Sequence, residues 1–328
     1  MNISVLGDGG WGTTLAILLH KRGHRVTLWG AFPQYVSYLN KKRINSKFLP
    51  GVVIPRGISI TADLKQAVDS RELIVLAVPA QYMRSIVKRI KGYRISASVF
   101  LSAAKGLEIN KLKQMSEVAR EELGKIKLAV LSGPTIAYEV ARGIPTTAVI
   151  ASQSSQLRKN LADVFSSSSF RIYTSSDVTG VELGGSLKNI IAIACGISDG
   201  LGFGANTKAA LLSRGLAEIS RLGRKMGAKG STFSGISGLG DLVTTCISPF
   251  SRNRCLGEQI GKGRRLKLVI NKTKMVVEGV ATAKAAYRLA YKYRIDMPIT
   301  KQVYAVLYKN KNPGKAVRDL MTRSLKEE

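Results

Sequence analysis

A chain of 328 residues with 45% hydrophobic and 22% charged content has room for two domains and a sizeable core, which excludes a disordered or disulfide-stapled class. Its longest uncharged runs, 26–40 and 143–157, each carry a proline and fall short of the roughly 18 apolar residues a spanning helix needs, and the N-terminus opens into a strand pattern without a basic leader, so neither a membrane span nor export is expected. Fifty-one Lys and Arg against 21 Asp and Glu leave a net charge of +30, but the basic residues are scattered, so a basic surface weakly drawn to acidic membranes is expected and specific nucleic-acid binding is not.

The first strand pattern, Ile3-Ser4-Val5-Leu6, runs straight into Gly7-Asp8-Gly9-Gly10-Trp11-Gly12. Thr13 to Arg22 then reads as a helix, Gly23 stops it, and Arg25 to Trp29 reads as a second strand. A G-x-G-x-x-G between a strand and a helix is the fingerprint of a dinucleotide-binding βαβ unit. Gly7 permits the tight turn, Gly9 lets backbone approach a pyrophosphate, and Gly12 lets helix and strand pack. The helix N-terminus supplies N–H groups to the phosphates. NAD and NADP both stay open. No Asp or Glu lies between Asp8 and Asp63, where an NAD site would place one, and eight Lys and Arg fill that interval. Yet Gly30, Ala31, Phe32 and Pro33 follow the second strand without an arginine, and Phe32 suits either an adenine face or ordinary packing.

The alternation continues with strands at 58–60, 73–78, 98–101 and 128–131, helices at 63–68, 81–91 and 136–141, and late strands at 146–151 and 170–173. The loops Gly7–Gly12, Pro79–Gln81, Lys105–Gly106 and Gly133–Thr135 all follow strands, and ligands of open α/β sheets bind at that edge.

Past Asp177 the strand signals stop. Val181 to Ile197 has helical spacing, with Leu183, Leu187, Ile190, Ile191 and Ala194 as its apolar stripe and Lys188 on another face. Gly184, Gly185, Ala192 and Gly196 surround Lys188, so this face expects something to approach closely, and an ammonium there suits a small anionic or carbonyl-bearing ligand. A lysine snorkelling to solvent is the plainer alternative. Further helices read at 207–226, 241–246, 252–260, 281–293, 299–308 and 313–322. The expected architecture is therefore α/β: a Rossmann-type dinucleotide-binding domain with a mostly parallel sheet over 1–180, then an all-helical domain over 181–328.

Asp241, in Gly238-Leu239-Gly240-Asp241-Leu242, is either a helix cap or the buried partner of Lys188. Ser251-Arg252-Asn253 opens a helix with donors suited to phosphate, or else forms a solvated basic helix end. The two histidines, His20 and His24, lie away from the strand-edge loops, and three cysteines form neither a disulfide framework nor a metal spacing. Lysine is the remaining proton donor, and no metal site is expected.

These residues resemble one family along nearly the whole chain: bacterial-type NAD(P)-dependent glycerol-3-phosphate dehydrogenase. The resemblance rests on GDGGWGTTLA (7–16), NSKFLPG (45–51), SAAKGLE (102–108), LSGPTIAYEVARGIPT (131–146), VELGGSLKNIIAIACGISDGLGFGANTKAAL (181–211), GLGDLVTTCISPFSRNR (238–254), VVEGVATAK (276–284) and DMPIT (296–300). It implies reversible hydride transfer between NAD(P)H and C2 of dihydroxyacetone phosphate, giving sn-glycerol 3-phosphate for glycerophospholipid synthesis, by a cytoplasmic homodimer. Lys188 is implied as proton donor and acceptor, Lys105 as a substrate contact, and Asp241 as the residue orienting the site. Gly133, Thr135, Ser251, Arg252 and Asn253 are implied to meet substrate. Gly7, Gly9, Gly10, Trp11, Gly12, Phe32, Lys105, Ala137, Arg252, Val276 and Glu278 are implied to meet cofactor. The family often carries a basic or histidine pair just after the second strand, and Gly30-Ala31-Phe32 departs from it. A two-domain dehydrogenase for another small hydroxy acid is the alternative within this class, and a nucleotide-sensing nucleic-acid binder the alternative outside it.

Overall fold

The computed structural model describes residues 1–95, 98–273, 275–325 and 327. Contacts group them into two units, Met1–Lys105 with Lys113–Glu182, and Gly106–Leu112 with Leu183–Glu328.

The first unit holds one sheet of eight strands: β1 (Asn2–Leu6), β2 (Arg25–Trp29), β3 (Ser59–Thr61), β4 (Leu73–Leu76), β5 (Val99–Ser102), β6 (Lys127–Ser132), β7 (Thr146–Ala151) and β8 (Phe170–Ser175). Their order is β3-β2-β1-β4-β5-β6-β7-β8, and every pairing is parallel except the antiparallel β6–β7. The period of two along each strand sorts the core into two layers. Ile3, Val5, Leu73, Val75, Leu101, Ala129 and Leu131 face one, with Leu15 and Leu19 of the helix Gly10–Lys21. Leu6, Ile74, Leu76, Phe100 and Leu128 face the other, with Met83, Val87 and Ile90 of the helix Met83–Ile90. Helices thus cover both faces, and β1 and β4 lie side by side where the winding reverses. That is the switch point at which doubly wound sheets bind ligands.

The second unit is helical among the described residues. Its first long helix, Val178–Gly200, differs from the expected one-sided stripe: Ala192, Ile193 and Cys195 are as buried as Leu187 and Ile190. It is also, by length and composition, long and apolar enough to cross a membrane, which corrects the expectation that no segment is, and 100% of its most apolar window is buried. Glu182, Lys188 and Asp199 break the uncharged run without making the helix polar. Three elements went unread there: the short helix Gly230–Ser234, a π-helical turn at Ile236–Gly240, and the helix Leu266–Lys272.

Glu218, on the helix Ala205–Lys225, is fully buried and accepts from Ile299 N (2.5 Å), Thr300 N (3.1 Å) and Thr300 Oγ1 (3.0 Å). It thereby caps the helix Pro298–Tyr308, whose own N-cap residue Met297 supplies no side-chain hydrogen bond. Burial outweighs these donors and pushes the Glu218 carboxyl up from 4.5 to about 7. A folded value above the unfolded one means its contribution to stability is fully present below pH 4.5 and is lost as pH rises through about 7. Urea unfolding at pH 5 and pH 8 should show the unsubstituted protein losing about 2.5 kcal/mol more over that window than Glu218→Gln. Glu182, also pushed up to about 7 by burial, is common to both proteins and cancels. Equal pH slopes would take Glu218 out of this role.

Candidate active site

The glycine-rich loop is built as its spacing requires. Gly7 N donates to Trp29 O at 2.9 Å, its φ is +121°, and a Cβ there would sit 2.6 Å from Ala77 O just beyond β4. A Cβ on Gly12 would overlap Gly7 O, so helix and loop touch through backbone. Gly10 is pressed by protein as well, its Cβ position lying 2.6 Å from Phe48 O. Around Gly9, by contrast, nothing lies within 4 Å of a Cβ, and the helix Gly10–Lys21 starts without a side-chain cap. Open backbone at an uncapped helix start fits a dinucleotide pyrophosphate. Trp11 Nε1, buried and without a hydrogen-bond partner among the described residues, is a further donor beside it.

Asn45 was not singled out from sequence, yet it braces this loop. Fully buried, it donates from Nδ2 to Asp8 O and Thr13 Oγ1 (both 2.8 Å) and accepts at Oδ1 from Tyr35 OH (2.7 Å) and Phe48 N (3.2 Å). Every polar atom of its carboxamide is committed to protein. Thr14 Oγ1 donates to Ala137 O at 3.0 Å, which fixes Ala137 beside the same helix. Phe32 is 71% exposed at the start of the helix Pro33–Lys42.

On the same strand edge Lys105 Nζ donates to Gly133 O (2.7 Å) and Thr135 Oγ1 (3.1 Å). Gly133 has φ +141°, and a Cβ there would press to 3.0 Å from Ala148 Cα. The turn after β6 thus needs glycine, and that turn aims a carbonyl at the lysine. Three residues predicted separately form one cluster.

In the helical unit Lys188 is 6% exposed and points inward. Its ammonium donates to Asp241 Oδ1 and, at 2.6 Å, to Thr245 Oγ1, which in turn donates to Asp241 O at 2.7 Å. Asp241, 1% exposed, sits in the first turn of the helix Asp241–Ile247 but spends its carboxylate on the lysine, not on a cap. Thr245, one turn on from Asp241, completes the arrangement. Sequence reasoning passed it over, though its i+4 spacing from Asp241 puts both on one face. The glycine surroundings of Lys188 have a different cause from the expected one: a Cβ on Gly184 would stand 2.5 Å from Ser237 O, so what approaches is the protein's own π-helical turn.

Asn253 Nδ2 donates to Asn189 Oδ1 (2.9 Å), and Gly279 N donates to Asn253 Oδ1 (2.9 Å). Asn189, adjacent to Lys188, was missed as well, although a buried amide in an apolar helix signals a polar partner. Ser251 caps the helix Arg252–Gly261 by accepting from Arg254 N. Arg252 Nη1 donates to Val276 O at 2.8 Å, just before Glu278 opens the helix Glu278–Tyr293. Among the described residues no group of three His, Cys, Asp or Glu could hold a metal ion. Substituting Gly184→Ala should force the π-helical turn away and cost about 1–3 kcal/mol, read as a lower melting temperature. An unchanged melt would mean the turn yields freely.

Known proteins resemble this chain along nearly its whole length. The model of the NAD-dependent glycerol-3-phosphate dehydrogenase N-terminus matches residues 2–158, and that of the C-terminus matches residues 177–318. A glycerol-3-phosphate dehydrogenase (NAD(P)+) of Fusobacterium nucleatum is 48% identical over 330 residues, covering 100% of this chain and 98% of that protein. One from Thermoanaerobacter sp. strain X514 is 50% identical over 328 residues, covering 100% and 99%. The crystal structure of glycerol-3-phosphate dehydrogenase from Coxiella burnetii superposes with a TM-score of 0.95 at 38% identity, covering 98% of this chain and 99% of that one. The chain belongs to the NAD-dependent glycerol-3-phosphate dehydrogenase family.

Proposed function

We propose that the NAD(P)-dependent glycerol-3-phosphate dehydrogenase activity of this chain runs through Lys188, held by Asp241 and Thr245. The bound nicotinamide supplies or accepts the hydride at C2. As dihydroxyacetone phosphate is reduced, negative charge gathers on its C2 oxygen, and Lys188 donates a proton there; in the reverse direction it takes that proton back. Asp241 and Thr245 keep the ammonium oriented, so little reorganisation is needed as charge moves. Lys105 meets the substrate from the Gly133–Thr135 turn, and Ser251, Arg252 and Asn253 meet its phosphate. Gly7, Gly9, Gly10, Trp11 and Gly12 take the dinucleotide, with Phe32, Ala137, Val276 and Glu278 as further cofactor contacts and Lys105 and Arg252 shared with it. The buried ammonium–carboxylate–hydroxyl group carries this reading, because a lysine is kept out of water at such cost only where its charge is used.

We further place the protein in the cytoplasm as a homodimer that feeds glycerophospholipid synthesis, as its family resemblance implies. The +30 charge supports a weak, salt-sensitive attraction to acidic membrane surfaces.

Lys188→Ala should bind reduced coenzyme normally while turnover falls roughly 10²–10⁴-fold, as followed by nicotinamide absorbance. Turnover near that of the unsubstituted protein would remove Lys188 from the chemistry. Arg252→Ala should raise KM for dihydroxyacetone phosphate roughly 10-fold or more beyond whatever loss it causes with unphosphorylated dihydroxyacetone, which reads only the coenzyme contact. Equal losses on both ketones would assign Arg252 to the coenzyme alone.

A further inference from the structure

A Rossmann-type unit that selects NAD hangs a carboxylate at the end of its second strand, where it accepts from the 2′-hydroxyl of the adenosine ribose. In this chain β2 ends at Trp29, Gly30 follows, and no acidic residue appears before Asp63. The side-chain volume of residue 30 is nevertheless filled. A Cβ on Gly30 would fall 2.8 Å from Asp8 Cγ, with Asp8 Oδ2 nearer still, and 2.8 Å from Val36 Cγ2. A carboxylate therefore stands where a side chain on the residue after β2 would stand, reached from the glycine-rich loop instead of the strand.

Its placement is braced. Asn45 holds the Asp8 carbonyl at 2.8 Å, and Gly30 N donates to Thr61 O at 3.1 Å, so both backbones are tied down. Asp8 Oδ2 is buried without a hydrogen-bond partner among the described residues, an acceptor that a ligand hydroxyl could satisfy after a small side-chain turn. Burial pushes the Asp8 carboxyl up, opposed by its own backbone N–H and by the charge of Lys47. That lysine rests over the rings of Phe48 (4.9 Å) and Tyr35 (5.7 Å).

We propose that Asp8 sets the coenzyme preference of this enzyme, its carboxylate standing in for the acidic group absent from the end of β2 and favouring NAD(H) over NADP(H). A ribose 2′-hydroxyl donates to it, whereas a 2′-phosphate brings like charge against it. The eight lysines and arginines between Asp8 and Asp63, which pointed the other way in sequence, count for less than one carboxylate at the right place. This inference rests on the first unit being a dinucleotide site.

Calorimetric titration of NADH and of NADPH, without substrate, tests it on the unsubstituted protein, Asp8→Ala, and the double substitution Asp8→Ala with Gly30→Asp. The unsubstituted protein should bind NADH about tenfold or more tighter than NADPH, as one hydrogen bond to a charged group provides. Asp8→Ala should bring the two affinities to within about threefold, with NADPH gaining in absolute terms because Lys47 is left unopposed. The double substitution hangs a carboxylate from the usual position, in the space Asp8 vacates, and should restore the NADH preference. That restoration separates a positional role from mere loosening of the loop. Equal affinity in the unsubstituted protein, or an unchanged ratio in Asp8→Ala, overturns the assignment. Absence of binding by either dinucleotide to the unsubstituted protein overturns instead the reading of the site itself.

Discussion

A lysine ammonium taken out of water beside a carboxylate is the constraint around which the helical unit is built. Desolvating two charges costs more than their mutual attraction returns unless further hydrogen bonds complete the group. Thr245 supplies one, and by donating onward to Asp241 O it ties the hydroxyl to the helix that carries the carboxylate. The pair also needs its two segments pressed together. Gly184 allows this, because with no Cβ the backbone of Ser237 can rest on the helix Val178–Gly200 one turn before Lys188. The π-helical turn at 236–240 is thus the lever that presents Asp241, and glycine is the surface it presses on.

The same device recurs further along the helix. Cβ atoms on Gly196 and Gly200 would strike backbone of Arg254 and Glu258, while those on Gly257 and Gly261 would strike backbone of Ile193 and Ile197. The helices Val178–Gly200 and Arg252–Gly261 therefore meet through main chain, closer than larger side chains would permit. That approach lets the short amide of Asn253 reach Asn189, and Gly279 N closes the group from a third helix. A helix packed this tightly on all sides is apolar on every face except where a buried polar group finds a partner, as Lys188 and Asn189 do. This is why Val178–Gly200 has the composition of a membrane span while its residues are buried in protein.

Much of this was legible. Short apolar runs such as 73–78 and 146–151 read as strands, observed at Leu73–Leu76 and Thr146–Ala151, and the glycine fingerprint after β1 read as a dinucleotide-binding turn. What escaped has identifiable causes. The helix Pro33–Lys42 buries only Val36 and Leu39, too thin a stripe to register as periodicity. Met115–Leu123 starts with a Gln114–Glu117 capping box, where the usual signal is a serine or threonine. Gly230–Gly240 gave no helical signal because of its glycines, although it holds two elements, the helix Gly230–Ser234 and the π-helical turn Ile236–Gly240 that leads into Asp241. Lys188 and Asp241 could be paired by elimination, but the backbone contact at Gly184 could not, since nothing in a glycine names its neighbour. Likewise Gly106–Leu112 interrupts the α/β region in sequence, yet Leu107 joins the helical core and Ile109 O accepts from Arg288 at 2.6 Å.

Charge makes the same point about position over count. Lys and Arg number 51, and most of them say nothing about chemistry. Arg254 and Lys208 both neutralise Asp199 at 2.8 Å, and Lys262 pairs with Glu258 along one exposed helix face, interactions worth little each and interchangeable in kind. Lys188 differs from them in surroundings: it is buried, held by the Asp241 carboxylate and the Thr245 hydroxyl, on a helix against which Ser237 rests at Gly184. Among the acids Asp241 and Asp8 stand apart from the surface carboxylates in the same way, one held by a cation and the other pressed beneath a glycine. Scattered surface charge sets how the whole molecule responds to salt and to acidic surfaces, over a screening length of about 8 Å. Buried charge is instead fixed by its immediate neighbours, and that is what the proposed proton donor Lys188 and the proposed ribose contact Asp8 have in common.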